Sequence, residues 1–149
     1  MKLEDAIQQK TFKSPMNKAV VNLLYTQSYI VTQQVKLFKP YGISPEQYNV
    51  LRILRGHHPE PMTVSSIQDR MLNKMSNASR LVEKLKQKGF VNRKECPNDR
   101  RQVDINITKE GLTLLEKLDE EIQRLNKEVI NLSEEEANTL NDLLDKLRG

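Results

Sequence analysis

The stretch Ser76-Asn77-Ala78-Ser79-Arg80-Leu81-Val82-Glu83-Lys84-Leu85-Lys86-Gln87-Lys88-Gly89 decides how the rest of the chain is read. Ala78, Leu81, Val82 and Leu85 recur at i, i+3, i+4 and i+7, the spacing of one buried stripe on an α-helix. Asn77, Arg80, Lys84 and Lys88 form a second, polar ridge that ends in positive charge, with Ser76 and Ser79 at its start. Ser76 is expected to open this helix and Gly89 to stop it. Such a helix packs inward on one face and offers cations to phosphate on the other. The plainer reading of the same residues is a solvated lysine-rich face whose Ser76, Asn77 and Ser79 serve as caps.

Working upstream, Thr63 is placed to cap a short helix carrying Val64, Ile67 and Met71, and Leu72-Asn73-Lys74 breaks the two helices apart. Ser44-Pro45-Glu46-Gln47 has the spacing of a capping box, followed by the stripe Tyr48, Leu51 and Leu54 and a stop at Gly56. His57-His58-Pro59-Glu60-Pro61 is a loop, because each proline disfavours helix at the residue before it. Ser14-Pro15 starts a long first helix through Val20, Leu24, Val31, Val35 and Phe38 that ends near Lys39-Pro40.

Downstream, Phe90 to Glu95 forms one short strand, and Val103, Ile105 and Ile107 alternate with Asp104 and Asn106 in a second. Cys96-Pro97-Asn98-Asp99-Arg100-Arg101 supplies the turn between them and puts two guanidiniums at the tip of the hairpin. From Thr108 onward Leu112, Leu115, Leu118, Ile122, Leu125 and Val129 make a narrow apolar seam on a charged helix. Ser133-Glu134-Glu135-Glu136 caps a last helix carrying Leu140, Leu143, Leu144 and Leu147. The fold class is therefore mainly α with a small β-hairpin, in the order of a winged helix-turn-helix flanked by long N- and C-terminal helices.

Composition agrees. A chain of 149 residues suggests one domain over 1–149. Its net charge of +4 divides into +3 for residues 1–69, +7 for 70–103 and −6 for 104–149. A compact basic block followed by an acidic helical tail is the footprint of one region facing phosphate. No apolar run reaches the roughly 18 residues of a membrane span, so a soluble cytoplasmic protein with no membrane partner is expected. One cysteine excludes an internal disulfide and a multi-thiolate zinc site, and no Gly-rich phosphate loop is present, so neither a metal, a cofactor nor an enzymatic function is expected.

A helix about 10 to 12 Å across fits the B-form major groove, about 12 Å wide, and a basic hairpin tip suits a neighbouring narrow minor groove. Taken together, Ser76 to Leu85, the exit Gly89-Phe90-Val91, the run Asp99-Arg100-Arg101 with Val103, and Thr108-Lys109-Glu110-Gly111 resemble the multiple antibiotic resistance regulator (MarR) family of bacterial transcription factors. The resemblance runs through nearly the whole chain after Ser14. It implies a sequence-specific regulator of double-stranded DNA, a repressor, acting as a homodimer on a pseudo-palindrome with half-sites roughly 10 bp apart. Ser76, Asn77, Ser79 and Arg80 would face the groove, Lys84 and Lys88 would contact phosphate, and Arg101 beside Arg100 would enter the minor groove, held by Asp99. Asp99 also reads as a simple turn residue and Arg101 as a solvated loop charge. The resemblance assigns dimerisation to helices in 14–39 and 108–149, with Val20, Leu112, Leu115, Leu118, Ile122, Leu125, Leu140 and Leu144 at the interface, and DNA binding to 44–107. The seam of the long helix reads equally as packing within one chain.

Family members also release DNA on binding small aromatic or phenolic effectors, for which Tyr25, Tyr29 and Tyr48 are candidate crevice residues; core packing explains the same tyrosines. His57-His58 lacks the i, i+4 spacing of helix-borne metal ligands and reads as surface loop. Cys96 sits among Lys94, Arg100 and Arg101, which favour a thiolate, yet it stands far from the N-terminal cysteines of peroxide-sensing members. Met62, Met71 and Met75 read as core. The competing function is a helical interaction protein whose basic block meets an acidic protein partner.

Overall fold

Apart from a first short turn, helix starts in this chain are set by side-chain oxygens three residues upstream of the amides they satisfy. In the computed structural model, which describes residues 1–149 apart from the side chains of Cys96 and Arg100, Ser14 Oγ accepts the Asn17 N–H at 3.1 Å. That bond opens α2 (Pro15–Phe38), which follows a four-residue turn, α1 (Leu3–Ala6). Ser44 and Gln47 complete the capping box of α3 (Pro45–His57), Thr63 Oγ1 accepts Ser66 N–H before α4 (Val64–Arg70), and Asn77 Oδ1 accepts Arg80 N–H before α5 (Ala78–Gln87). Each such cap stabilises its helix by about 1 kcal/mol. Asn77 rather than Ser76 is thus the cap of α5.

At its other end α5 closes as the sequence suggests. Gly89 takes a left-handed φ of 80°, its N–H reaches Lys86 O at 3.0 Å, and Phe90 N–H reaches Leu85 O at 3.0 Å. The chain then enters a hairpin of β1 (Val91–Cys96) and β2 (Asp99–Ile107), antiparallel and in register from Val91↔Ile107 to Glu95↔Val103. A register shift separates that run from the last pair, Cys96↔Asp99, and Arg101 and Gln102 lie in this irregular step. The hairpin is therefore longer than the sequence suggests, and Arg101 belongs to a strand rather than to the tip. Polar residues without alternation hid this part of the strand.

Met62 adds a single antiparallel bridge to Ile105, with bonds of 2.9 and 2.8 Å, so the segment before α4 joins the wing. One residue has no periodicity, and the bridge was invisible in the sequence. Thr108 joins the wing to the next helix: its hydroxyl donates to Gly89 O at 2.7 Å and accepts Gly111 N–H at 3.1 Å, while its N–H reaches Phe90 O at 3.0 Å. From there runs α6 (Lys109–Val129), and Ser133, again with a complete capping box, opens α7 (Glu134–Arg148).

Residues 1–115 and 116–149 form two compact units. The core of the first holds Phe38, Leu51, Leu54, Ile67, Met71, Val82, Leu85, Val91, Ile105 and Leu115, all essentially without exposed surface. Here α5 buries Ala78, Val82 and Leu85 of its predicted stripe and leaves Leu81 half-buried. The turn α1 escaped sequence reading because four residues carry no stripe; Leu3 is buried and Glu4 pairs with Lys18. The hydrogen bond from Lys18 holds the Glu4 carboxyl below its ordinary value of 4.5. In the second unit α7 has no buried residue.

Candidate nucleic-acid interface

The outward ridge of α5 begins at its cap. Asn77, Ser79, Arg80 and Lys84 are not buried, and Arg80 and Lys84 line a shallow cleft of about 450 Å³ together with Asn73, Ser76, Asn77 and Glu46. The structure therefore brings together most of the residues the sequence grouped here. Ser76 departs from the expected groove-facing position: its Oγ is buried and has no hydrogen-bond partner among the described residues. The turn that precedes Asn77 folds that hydroxyl inward. Lys88 departs as well, because its Nζ donates to the carbonyl of Gly42, at the left-handed turn before α3. The α5 C-terminus thereby ties that cation to the scaffold.

The link between α4 and α5 is held by side chains from several elements. Asn49 Oδ1 of α3 accepts Leu72 N–H at 2.9 Å, and Asn73 Oδ1 accepts Met75 N–H at 2.9 Å. Gln68 Oε1 accepts Ala78 N–H at 3.0 Å, and the Gln68 amide donates to Lys74 O at 3.3 Å, so one side chain of α4 clamps both sides of the turn. Lys74 in turn donates to Asp69 O. Met62 and Met71 are core as expected, but Met75 is 92% exposed. Its place on this turn, outside any helical stripe, is the reason.

On the wing, Asp99 Oδ1 accepts the backbone N–H of Arg101 at 2.9 Å, which is turn chemistry acting directly on the strand that carries the arginine. Arg101 and Asp99 line a cleft of about 370 Å³ with Thr63, Val64, Ser65 and Arg93. Arg93 pairs with Glu83 of α5 at 3.5 Å, and both side chains are nearly half exposed, so the bridge contributes at most about 1 kcal/mol while linking wing to helix. The side chains of Arg100 and Cys96 lie outside the described residues.

Of the expected interface residues, Leu115 and Leu118 retain no exposed surface within the single chain, so they are internal packing and have nothing left to give a partner. Leu112, Ile122, Leu125 and Leu144 are half-buried, and Val20 and Leu140 are exposed. The three tyrosines do not converge. Tyr48 is buried and stacks on Phe38 with ring centroids 4.6 Å apart, whereas Tyr25 and Tyr29 are exposed on α2. A cleft of about 510 Å³ does lie between α2, α3 and the α4–α5 turn, lined by Gln27, Val31, Gln34, Asn49, Met71 and Leu72 among others. His57 Nδ1 lies 3.4 Å from Arg70, and among the described residues no His, Cys, Asp or Glu cluster is arranged to hold a metal. Among the described residues no helix is long and apolar enough to cross a membrane.

A helix-turn-helix with its second helix exposed, followed by a hairpin, is the architecture of the DNA-binding winged helix. The MarR family model matches residues 43–103, the span from the start of α3 into β2. A crystal structure of a MarR transcription factor from Planctomyces limnophilus is 30% identical and covers 93% of this chain and 98% of its own, with a TM-score of 0.70. This chain belongs to the MarR family. Family membership makes it a DNA-binding transcription regulator rather than an enzyme. The HTH-type transcriptional regulator PecS of Dickeya dadantii (strain 3937) is 29% identical over 114 residues, 75% of this chain and 69% of the relative. A mutant MarR from E. coli, crystallised in complex with operator DNA, shares the fold with a TM-score of 0.75 at 23% identity, over 99% of both chains.

Proposed function

We propose that the protein is a homodimeric repressor that holds a pseudo-palindromic operator, with one α5 in each of two major grooves and the wings at the flanking minor grooves. The observation that carries this reading is the outward ridge Asn77, Ser79, Arg80 and Lys84 on a helix whose start is clamped by α3 and α4. Rigid placement matters because base-edge readout needs hydrogen-bonding groups held in register with the groove. In this reading Asn77, Ser79 and Arg80 meet base edges, Lys84 a phosphate and Arg101 the minor groove, while Asp99 sets the backbone of Arg101. Ser76 and Lys88 serve the scaffold. Residues 44–107 form the DNA-binding lobe.

Dimerisation rests on helices 14–39 and 108–149. Support comes from exposed apolar side chains on two helices: Met16, Val20 and Leu24 on α2, and Leu140, Leu143 and Leu147 on α7. Sedimentation equilibrium at micromolar concentration is expected to give a dimer, and a monomer refutes it. Release by a small aromatic effector has support in the cleft lined by Gln27, Val31 and Gln34, a volume within the range of small-molecule sites.

The test of DNA binding is fluorescence anisotropy on the protein's own upstream duplex and on sheared genomic DNA at two salt concentrations, with Arg101→Ala beside it. Nanomolar, salt-sensitive binding that prefers the upstream duplex, weakened in the variant by on the order of 1 to 3 kcal/mol, is expected. Weak binding to every duplex, indifferent to Arg101, would point to an acidic protein partner instead.

A further inference from the structure

The polar ridge of α5 leaves one major-groove feature unread. Asn, Ser, Arg and Lys side chains recognise hydrogen-bonding edges and phosphates, but thymine also presents a 5-methyl group, which only an apolar contact can read. Met75 is an exposed apolar side chain just ahead of this ridge. It is 92% exposed, whereas Met71, four residues earlier, is 1% exposed. Asn73 and Ser76, on either side of it in the chain, line the cleft with Asn77, Arg80 and Lys84, so the Met75 backbone lies in the segment that leads directly into the ridge. Its backbone is fixed: its N–H is held by Asn73 Oδ1, Ser76 N–H by Asn73 O at 3.1 Å, and the carbonyl of Lys74 by Gln68. Leu72, the other exposed apolar residue of this turn, lines the separate cleft with α2 and α3.

We propose that Met75 is a specificity-determining residue whose thioether side chain packs against the 5-methyl group of a thymine in each operator half-site. The inference rests on the reading of α5 as the helix in the major groove. In helix-turn-helix proteins the N-terminal end of that helix reaches the base edges, and Met75 lies two residues before the Asn77 cap. A flexible, polarizable side chain adapts to a methyl group without strict geometry. Its chemistry discriminates thymine from cytosine at a position where the polar ridge does not.

The experiment begins with a duplex selected by the wild-type protein from a random-sequence library. Each thymine is then replaced singly by deoxyuridine, which removes the methyl and nothing else. Wild type is expected to lose about fourfold in affinity at one thymine of each half-site. Met75→Ala is expected to bind the thymine and uracil duplexes equally, and Met75→Leu to restore the difference. Equal stability of all three proteins in urea shows that the fold is unaffected. A wild type indifferent to uracil at every position overturns the assignment, and so does a uracil penalty that persists in Met75→Ala. Failure to select any duplex overturns it together with the reading of α5, and is recognised by the absence of binding itself.

Discussion

Three glycines, substituted identically by alanine, are expected to respond in three different ways, because the backbone asks something different of each. Gly111, in the first turn of α6, has room for no side chain: a Cβ there would lie 2.5 Å from Phe90 O and 2.7 Å from Ile107 Cγ1. Restoring ordinary contact at 3.4 Å requires α6 to withdraw from Phe90 by about 0.9 Å. The Phe90 carbonyl cannot yield cheaply, since it accepts Thr108 N–H at 3.0 Å and losing that bond costs about 1 kcal/mol. Overpacking costs a further 1 to 3 kcal/mol or so, and the higher helix propensity of alanine returns about 1 kcal/mol. Gly111→Ala is thus expected to destabilise the protein by roughly 1 to 3 kcal/mol. Gly56, exposed near the end of α3, has nothing within 4 Å of its Cβ position, so Gly56→Ala should stabilise by up to about 1 kcal/mol. Gly89 also has open space but a φ of 80°, so Gly89→Ala loses about 1 to 2 kcal/mol through backbone strain alone. Urea denaturation followed by far-ultraviolet circular dichroism ranks the three. A Gly111→Ala protein as stable as wild type would refute the close approach of α6 to Phe90 and the end of β2.

Asn77→Ala removes the cap of α5 and should cost about 1 kcal/mol of stability along with DNA affinity, whereas Asn77→Asp keeps the cap and the stability but sets a negative charge toward DNA. Parallel urea and anisotropy measurements separate the two effects, and an Asn77→Asp protein with undiminished affinity would show that this position does not face the groove. Because the Glu4 carboxyl is held below 4.5 in the fold, its contribution to stability is complete above that value and disappears as pH falls through the lowered folded-state value. Glu4→Gln should therefore flatten part of the loss of stability between neutral and acid pH, read from urea midpoints at several pH values. Substituting both Leu143 and Leu147 by Gln should leave the helix content unchanged and weaken self-association in sedimentation equilibrium, since both side chains are exposed in the single chain. An unaltered association constant would remove α7 from the interface.

Local chemistry accounts for most of the architecture. Ser14, Ser44, Thr63 and Ser133 each cap the helix assigned to them because the bond they make spans three residues, and the i, i+3, i+4 stripe of α5 is a property of one helix. For the same reason the outward ridge of Arg80 and Lys84 was legible: its members share one helix face whatever lies beyond it. Long-range packing decided the rest. Met71 and Met75 are the same residue type four positions apart, yet one is core and the other surface, because helical stripe gives way to a turn held by Asn49, Gln68 and Asn73. Lys88 is drawn to a carbonyl 46 residues away, Met62 finds its strand partner at Ile105, and Leu115 and Leu118 are consumed internally although their spacing also suits a partner chain. A side chain's spacing along the chain is written within one or two turns of helix, but its burial depends on which distant surface arrives against it. That is why the elements and the cationic ridge could be read residue by residue, while the inward turn of Ser76 and the outward turn of Met75 emerged only when the elements were assembled.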